Sequence, residues 1–169
     1  NRTKVKPEQA PKTWKDINNP AFRDGISVKL ATSGMQHSQW YILRKMYGND
    51  FWQEFAKQRP KGFDARAQLF DRLAKGDDRM CALAEYAGYT LYQEKGAEID
   101  FVAPPEGMPA IAIYIGVVNK APHPEAAKLF VDWALSKRGQ AIYQNQKILL
   151  YGSVRNDAGP MPTGKRLSD

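Results

Sequence analysis

Apolar residues recur along this chain with two periods, and the switches between them mark its elements. Over residues 26–30, Ile26, Val28 and Leu30 alternate with Ser27 and Lys29, which predicts a strand, and Thr32-Ser33-Gly34 breaks it. From Met35 to Tyr47 the period lengthens: Trp40, Ile42, Leu43, Met46 and Tyr47 recur at near-helical spacing, and Gly48 closes the helix. Asn49 is placed to cap a second helix, which carries Phe51, Trp52 and Phe55 on one face and is stopped by Pro60. A third helix, Asp64 to Lys75, turns Leu69, Phe70 and Leu73 inward and ends at Gly76. These aromatic and aliphatic stripes read as core.

The alternation continues downstream. Met80 to Tyr86 is a compact apolar run suited to a buried strand, Gly88 to Lys95 a helix ended by Gly96, and Ile99 to Val102 a further short strand. Ala110 to Val118 predicts a strong strand, and His123 to Gln144 a long helical segment with a break at Ser136 to Gly139. Upstream, residues 1–11 read as an extended connector, Thr13 to Asp16 has the spacing of a capping box, and a second turn ends at Gly25. From Gly152 the chain is glycine, proline and polar residues, with weak helix and strand signals. Strands alternating with helices argue an α/β fold with a mostly parallel central sheet.

Composition narrows the functional classes. With 169 residues, 43% hydrophobic and 25% charged, the chain can bury one real core and matches an ordinary globular protein. Its longest apolar run is of strand length, far short of the roughly 18–20 residues that a membrane-spanning helix needs. The single cysteine, Cys81, excludes an internal disulfide and any multi-cysteine metal site. A net charge of +7 raises the question of nucleic acid, but the basic residues are scattered among nearly as many acids, without the aromatic-plus-basic stripe of an RNA-binding sheet.

No catalytic signature is present: no dinucleotide or phosphate loop, no nucleophile elbow and no zinc-protease helix, and His37 and His123 lie apart in the chain. No cofactor and no metal set is expected. The best polar candidate is Thr32-Ser33-Gly34, where small hydroxyls, backbone N–H groups and a helix N-terminus could face an anionic or oxygen-rich ligand, unless Ser33 only caps the helix. Glu85 and Tyr86 end the strand from Met80, the edge where open α/β sheets bind ligands; the alternative is a capping or edge pair. Arg66 stands near a helix start, where a cation opposes the macrodipole, so it is either a clamp for a carboxylate or phosphate or an ordinary solvated arginine.

Taken in order, several segments resemble the bacterial periplasmic solute-binding proteins of ABC importers, in the group of ferric-iron, thiamine and aminoethylphosphonate binders. They are Pro11 to Ile17, Ile26 to Leu30 with Thr32-Ser33-Gly34, Leu73 to Asp77, Phe101 to Gly107, and above all Pro124 to Gln140. The resemblance implies a type 2 periplasmic-binding-protein lobe, a three-layer α/β/α module. It implies residues 1–105 as the second, ligand-binding lobe, 106–150 as the crossing and return toward the first lobe, and 151–169 as a loop-rich tail. The first lobe's N-terminal part is then missing from this chain, and the cleft is incomplete.

It further implies a periplasmic protein that captures a small solute, anionic or metal-complexed, for a membrane permease. Ferric-iron members use adjacent tyrosines after the Met80 region; here the residues are Glu85-Tyr86-Ala87-Gly88-Tyr89, and iron ranks below a small organic or anionic solute. A cytoplasmic ligand-sensing regulator of the same fold, or an enzyme on a similar scaffold, are the alternatives.

Overall fold

The computed structural model of the chain describes residues 1–145, 152–153 and 155–159. The chain divides into two compact units, Asn1–Ile111 and Ala112–Asp169. In the first, three short 3₁₀ turns (Pro7–Gln9, Trp14–Asn18, Pro20–Phe22) lead into strand β1 (Ile26–Lys29) and helices α1 (Gly34–Tyr47) and α2 (Asn49–Lys57). Strand β2 (Lys61–Phe63), helix α3 (Arg66–Lys75), strand β3 (Met80–Ala82) and helix α4 (Tyr86–Glu94) follow. The second unit holds α5 (Pro124–Leu135) and α6 (Lys137–Asn145), the long helical segment broken at Ser136 as its sequence predicts.

The sheet is parallel, in the order β2-β1-β3. Val28 of β1 stands between Gly62 on one side and Ala82 on the other. Because side chains alternate along a strand, one face of the sheet presents Ile26, Val28 and Ala82. Leu43 of α1 and Phe51 and Phe55 of α2 cover that face, with Ile17 and Phe22 completing the cluster. The opposite face presents Cys81, packed against Phe70 and Leu73 of α3 and against Ile99. Helices therefore lie on both faces of the sheet, the three-layer arrangement that parallel strands require. The predicted aromatic stripe is core: Trp40 stacks on Trp52 with ring centroids 4.0 Å apart, and Phe55 meets both rings edge-on. Burial pushes the Cys81 thiol up to about 12, so it packs as a small hydrophobe and is no nucleophile.

Two polar arrangements hold this frame. Asp78 is fully buried and accepts from Arg72 Nε at 2.6 Å, Arg72 Nη2 at 3.0 Å and Lys61 Nζ at 3.3 Å. Burial works to raise its pKa, but the Arg72 fork and Lys61 prevail and hold the carboxyl below its usual range. At the C-terminal end of α1, Glu106 Oε1 accepts from the backbone N–H of Trp14 and from the Tyr47 hydroxyl, both at 3.1 Å, while Trp14 Nε1 donates to the Gly107 carbonyl at 2.8 Å. The turn at Pro104–Gly107 is thereby fastened to Trp14 and to the end of α1.

The capping box at Thr13 and Asp16 is present and opens a short 3₁₀ helix, with Asp16 accepting from the backbone N–H groups of Lys12 and Thr13 at 2.8 Å each. Several other expectations are corrected. Gly48, not Asn49, precedes the first turn of α2. Strand β2 was hidden by its length and by Gly62, whose missing side chain leaves room for Leu30. The run from Met80 stays in the ladder only to Ala82, because Leu83 turns into the left-handed region at φ 58° and ends it. Ile99 to Val102 forms no strand; Ile99 is buried as a core plug instead. Ala110 to Val118 also forms none: among the described residues it pairs with no strand, and a ladder cannot exist without a neighbour to share its N–H and C=O groups. The loop reading from Gly152 holds for 152–153 and 155–159; the rest of that tail, and residues 146–150 of the returning segment, lie outside the described residues.

Gly88 sits where any Cβ would fall within the Phe70 ring, so α4 comes this close to α3 only because that side chain is missing. Replacing it, Gly88→Ala, should destabilise the protein by about 1–3 kcal/mol through overpacking, measured as a lowered urea midpoint. Asp78→Asn should cost on the order of 3 kcal/mol, since it strips the buried partner from Arg72. The pH dependence follows from the sign: with the folded pKa depressed, the stabilisation from Asp78 is present above its unfolded value of about 3.9 and is lost as pH falls through the folded value. Urea titrations across that range should show wild-type stability falling with pH more steeply than that of Asp78→Asn.

Candidate functional site

All three strands are parallel, so the segments leaving their C-terminal ends emerge on one edge: residues 30–33 after β1, 64–65 after β2 and 83–85 after β3. Helices α1, α3 and α4 begin from those segments, and their first turns point the free N–H groups of three helix ends at the same edge. This is the place where open α/β sheets bind ligands.

Every candidate residue predicted from the sequence stands here. Ser33 precedes the first turn of α1, but its hydroxyl makes no capping bond; it donates to Gln36 Oε1. The Gln36 amide reaches Glu85 Oε1 at 3.4 Å, and Glu85 Oε2 accepts from Arg66 Nη1 at 3.1 Å. Ser33, Gln36, Glu85 and Arg66 therefore form one chain of contacts that ties together the starts of α1, α4 and α3. Thr32 joins a second group: its hydroxyl donates to Asp64 Oδ1, and Lys29 Nζ contacts the Asp64 carbonyl and, at 3.4 Å, the same Oδ1. The Thr32 hydroxyl bond leads the causes that hold the Asp64 carboxyl below its ordinary value, with the Lys29 ammonium adding to it. Gly34 opens α1 with clear space where a side chain would stand.

The assignments of Glu85 and Tyr86 change in kind. Neither ends a strand: Glu85 occupies the capping position of α4 and Tyr86 is its first residue. The Tyr86 ring packs among Tyr89 at 5.5 Å and Phe101 at 5.0 Å, and those two rings lie 5.6 Å apart. Arg66 is not a lone cation against the dipole of α3, because the Glu85 carboxylate pairs with it; both side chains are about one-third exposed. Sequence reasoning missed Lys29, Gln36 and Asp64. Lys29 falls on the polar phase of a strand and Asp64 in a turn, positions that read as solvated, while Gln36 gave no signal beyond its place three residues after Ser33.

Among the described residues, no group of three or more His, Cys, Asp and Glu side chains could hold a metal ion, and no helix is long and apolar enough to cross a membrane. What remains at the edge is a cluster of hydroxyls, an amide, two ion pairs and three aromatic rings. Its chemistry is hydrogen bonding, charge pairing and stacking, set at the ligand-receiving edge of a parallel α/β sheet.

The comparisons agree with that arrangement. The chain belongs to the bacterial extracellular solute-binding protein family, whose model matches residues 1–167. It is 26% identical to an uncharacterized protein of Haemophilus influenzae (strain Rd) over 161 residues, 92% of this chain and 46% of that protein. Iron-bound HitA from Pseudomonas aeruginosa is similar in structure, with a TM-score of 0.72 at 19% identity over 99% of this chain and 56% of that one. The periplasmic binding protein P5PA is similar with a TM-score of 0.67 at 20% identity, over 94% and 54% of the two chains. The chain thus spans about half the length of the relatives it matches. These likenesses bear out the type 2 solute-binding fold, and the family is one of binding proteins rather than enzymes.

Proposed function

We propose that this chain forms the ligand-binding wall of a periplasmic solute-binding protein, which captures a small polar solute at the C-terminal edge of its sheet and hands it to the permease of an ABC importer. The observation that carries this reading is the rim itself. Seven side chains from the strand ends, loops and helix starts form two groups linked by hydrogen bonds and ion pairs, Ser33-Gln36-Glu85-Arg66 and Thr32-Asp64-Lys29, at the edge where parallel sheets receive ligands. At 19% identity the HitA likeness speaks for the fold and not for iron, and the packing of Tyr86 between Tyr89 and Phe101 favours an organic solute over a bare metal.

In this reading residues 1–105 are one lobe, 106–150 the crossing and the returning segment, and the facing wall comes from the other half of the length that the relatives possess. Apolar side chains left in solvent in the second unit support that assignment. Tyr114 is 90% exposed and Leu129 72%, and Ile113, Val118 and Phe130 are exposed as well.

Ser33→Ala and Tyr86→Ala, made in the full-length protein, should each weaken solute binding about tenfold in calorimetry while leaving the melting temperature within a degree or two. Wild-type affinity in both variants would remove the rim from the binding site.

A further inference from the structure

The rim carries four fixed charges, and the structure pairs all of them. Lys29 leaves β1 beside the loop that holds Asp64, with 3.4 Å between Nζ and Oδ1; Arg66 opens α3 two residues later and meets Glu85 at 3.1 Å. The net fixed charge of the rim is therefore zero, although three helix N-termini converge there.

Glu85 is fixed in place from two sides. Gln36, itself almost completely buried, donates to one oxygen, and Arg66 donates to the other. The carboxylate also stands at the start of α4, where its negative charge suits the helix end although it makes no capping bond to it. A solute bearing only negative charge would thus meet a fixed carboxylate on the very guanidinium it needs. A solute bearing only positive charge would meet Arg66 and Lys29.

Arg66 nevertheless uses a single nitrogen toward Glu85, and a guanidinium offers five N–H donors, so it can hold a second anionic group without releasing the first. Each Glu85 oxygen likewise accepts from a single partner, Gln36 on one and Arg66 on the other, and a carboxylate has about four lone-pair sites, so it can take an ammonium group without releasing either.

We propose that the rim selects solutes that carry a cationic and an anionic group together, and that Glu85 is the residue that turns away solutes carrying negative charge alone. This rests on the capture reading above and names the class of solute captured. Arg66 holds the anionic group, and Glu85 holds the cationic one.

The test is calorimetry on the full-length protein with three probe sets: zwitterions (the common amino acids and O-phosphoethanolamine), simple anions (inorganic phosphate and citrate) and simple cations (ethanolamine and putrescine). The wild type should bind at least one zwitterion, and bind it about tenfold or more tightly than any probe of a single sign. Glu85→Gln, which keeps the shape and removes the charge, should weaken that zwitterion about tenfold and improve phosphate or citrate, with melting unchanged.

A wild type that prefers a simple anion or cation overturns the charge rule and leaves capture intact. Equal loss for every probe in Glu85→Gln makes Glu85 a structural residue and also overturns the rule. Absence of binding across all three sets, in a protein that melts cooperatively, overturns the rule and the capture reading together.

Discussion

The structure depends on one strand being buried on both faces. β1 has only four residues, yet both other strands of the sheet pair with it, and its alternating side chains divide the first unit into two cores. Ile26 and Val28 seat α1 and α2, while the opposite face, carried on by Cys81 of β3, takes α3 and α4. Because both neighbours run parallel to β1, every chain reversal must be made by a helix, and all the segments leaving the strands gather on one edge. The rim needs no interaction of its own to assemble it; the direction of the strands does so.

What the sequence revealed, and what it concealed, follows from the same architecture. Segments long enough to show a period were legible. The stripes of α1, α2 and α3 and the alternation of β1 all stand within a residue or two of where their patterns place them. The short pieces were not. A three-residue strand such as β2, with Gly62 at its centre, has no period to detect, and it forms only because β1 offers it a ladder. Ala110 to Val118 is the converse, a run with the composition of a strand and no neighbour to pair with among the described residues. Leu83 marks the point where composition misleads: an apolar residue inside an apolar run takes the left-handed conformation and converts a supposed strand end into a helix start.

At the rim, the six candidates picked by residue type and position all stand at one edge, but apart from Arg66 and Glu85, which pair with each other, their partners were not picked. Ser33 and Thr32 drew notice as small hydroxyls beside a glycine; Gln36, Asp64 and Lys29 have value only through whom they touch. Charge pairing between loops separated by tens of residues leaves no mark in a linear pattern. The family match and the two structural likenesses add what periodicity cannot, namely that this arrangement of layers belongs to proteins that hold solutes.

The close approach at Gly88 reaches further than packing. The distance between α3 and α4 is set there by an absent side chain, one turn from Glu85 and on the same two helices whose first turns supply Arg66 and Glu85. The core thus works as a gauge block for the rim, and the spacing of its charged groups is inherited from a hydrocarbon contact. Loop residues at the edge can drift to suit another solute while the ruler stays the same. The same scaffold could therefore be retuned in chemistry without being remeasured in geometry.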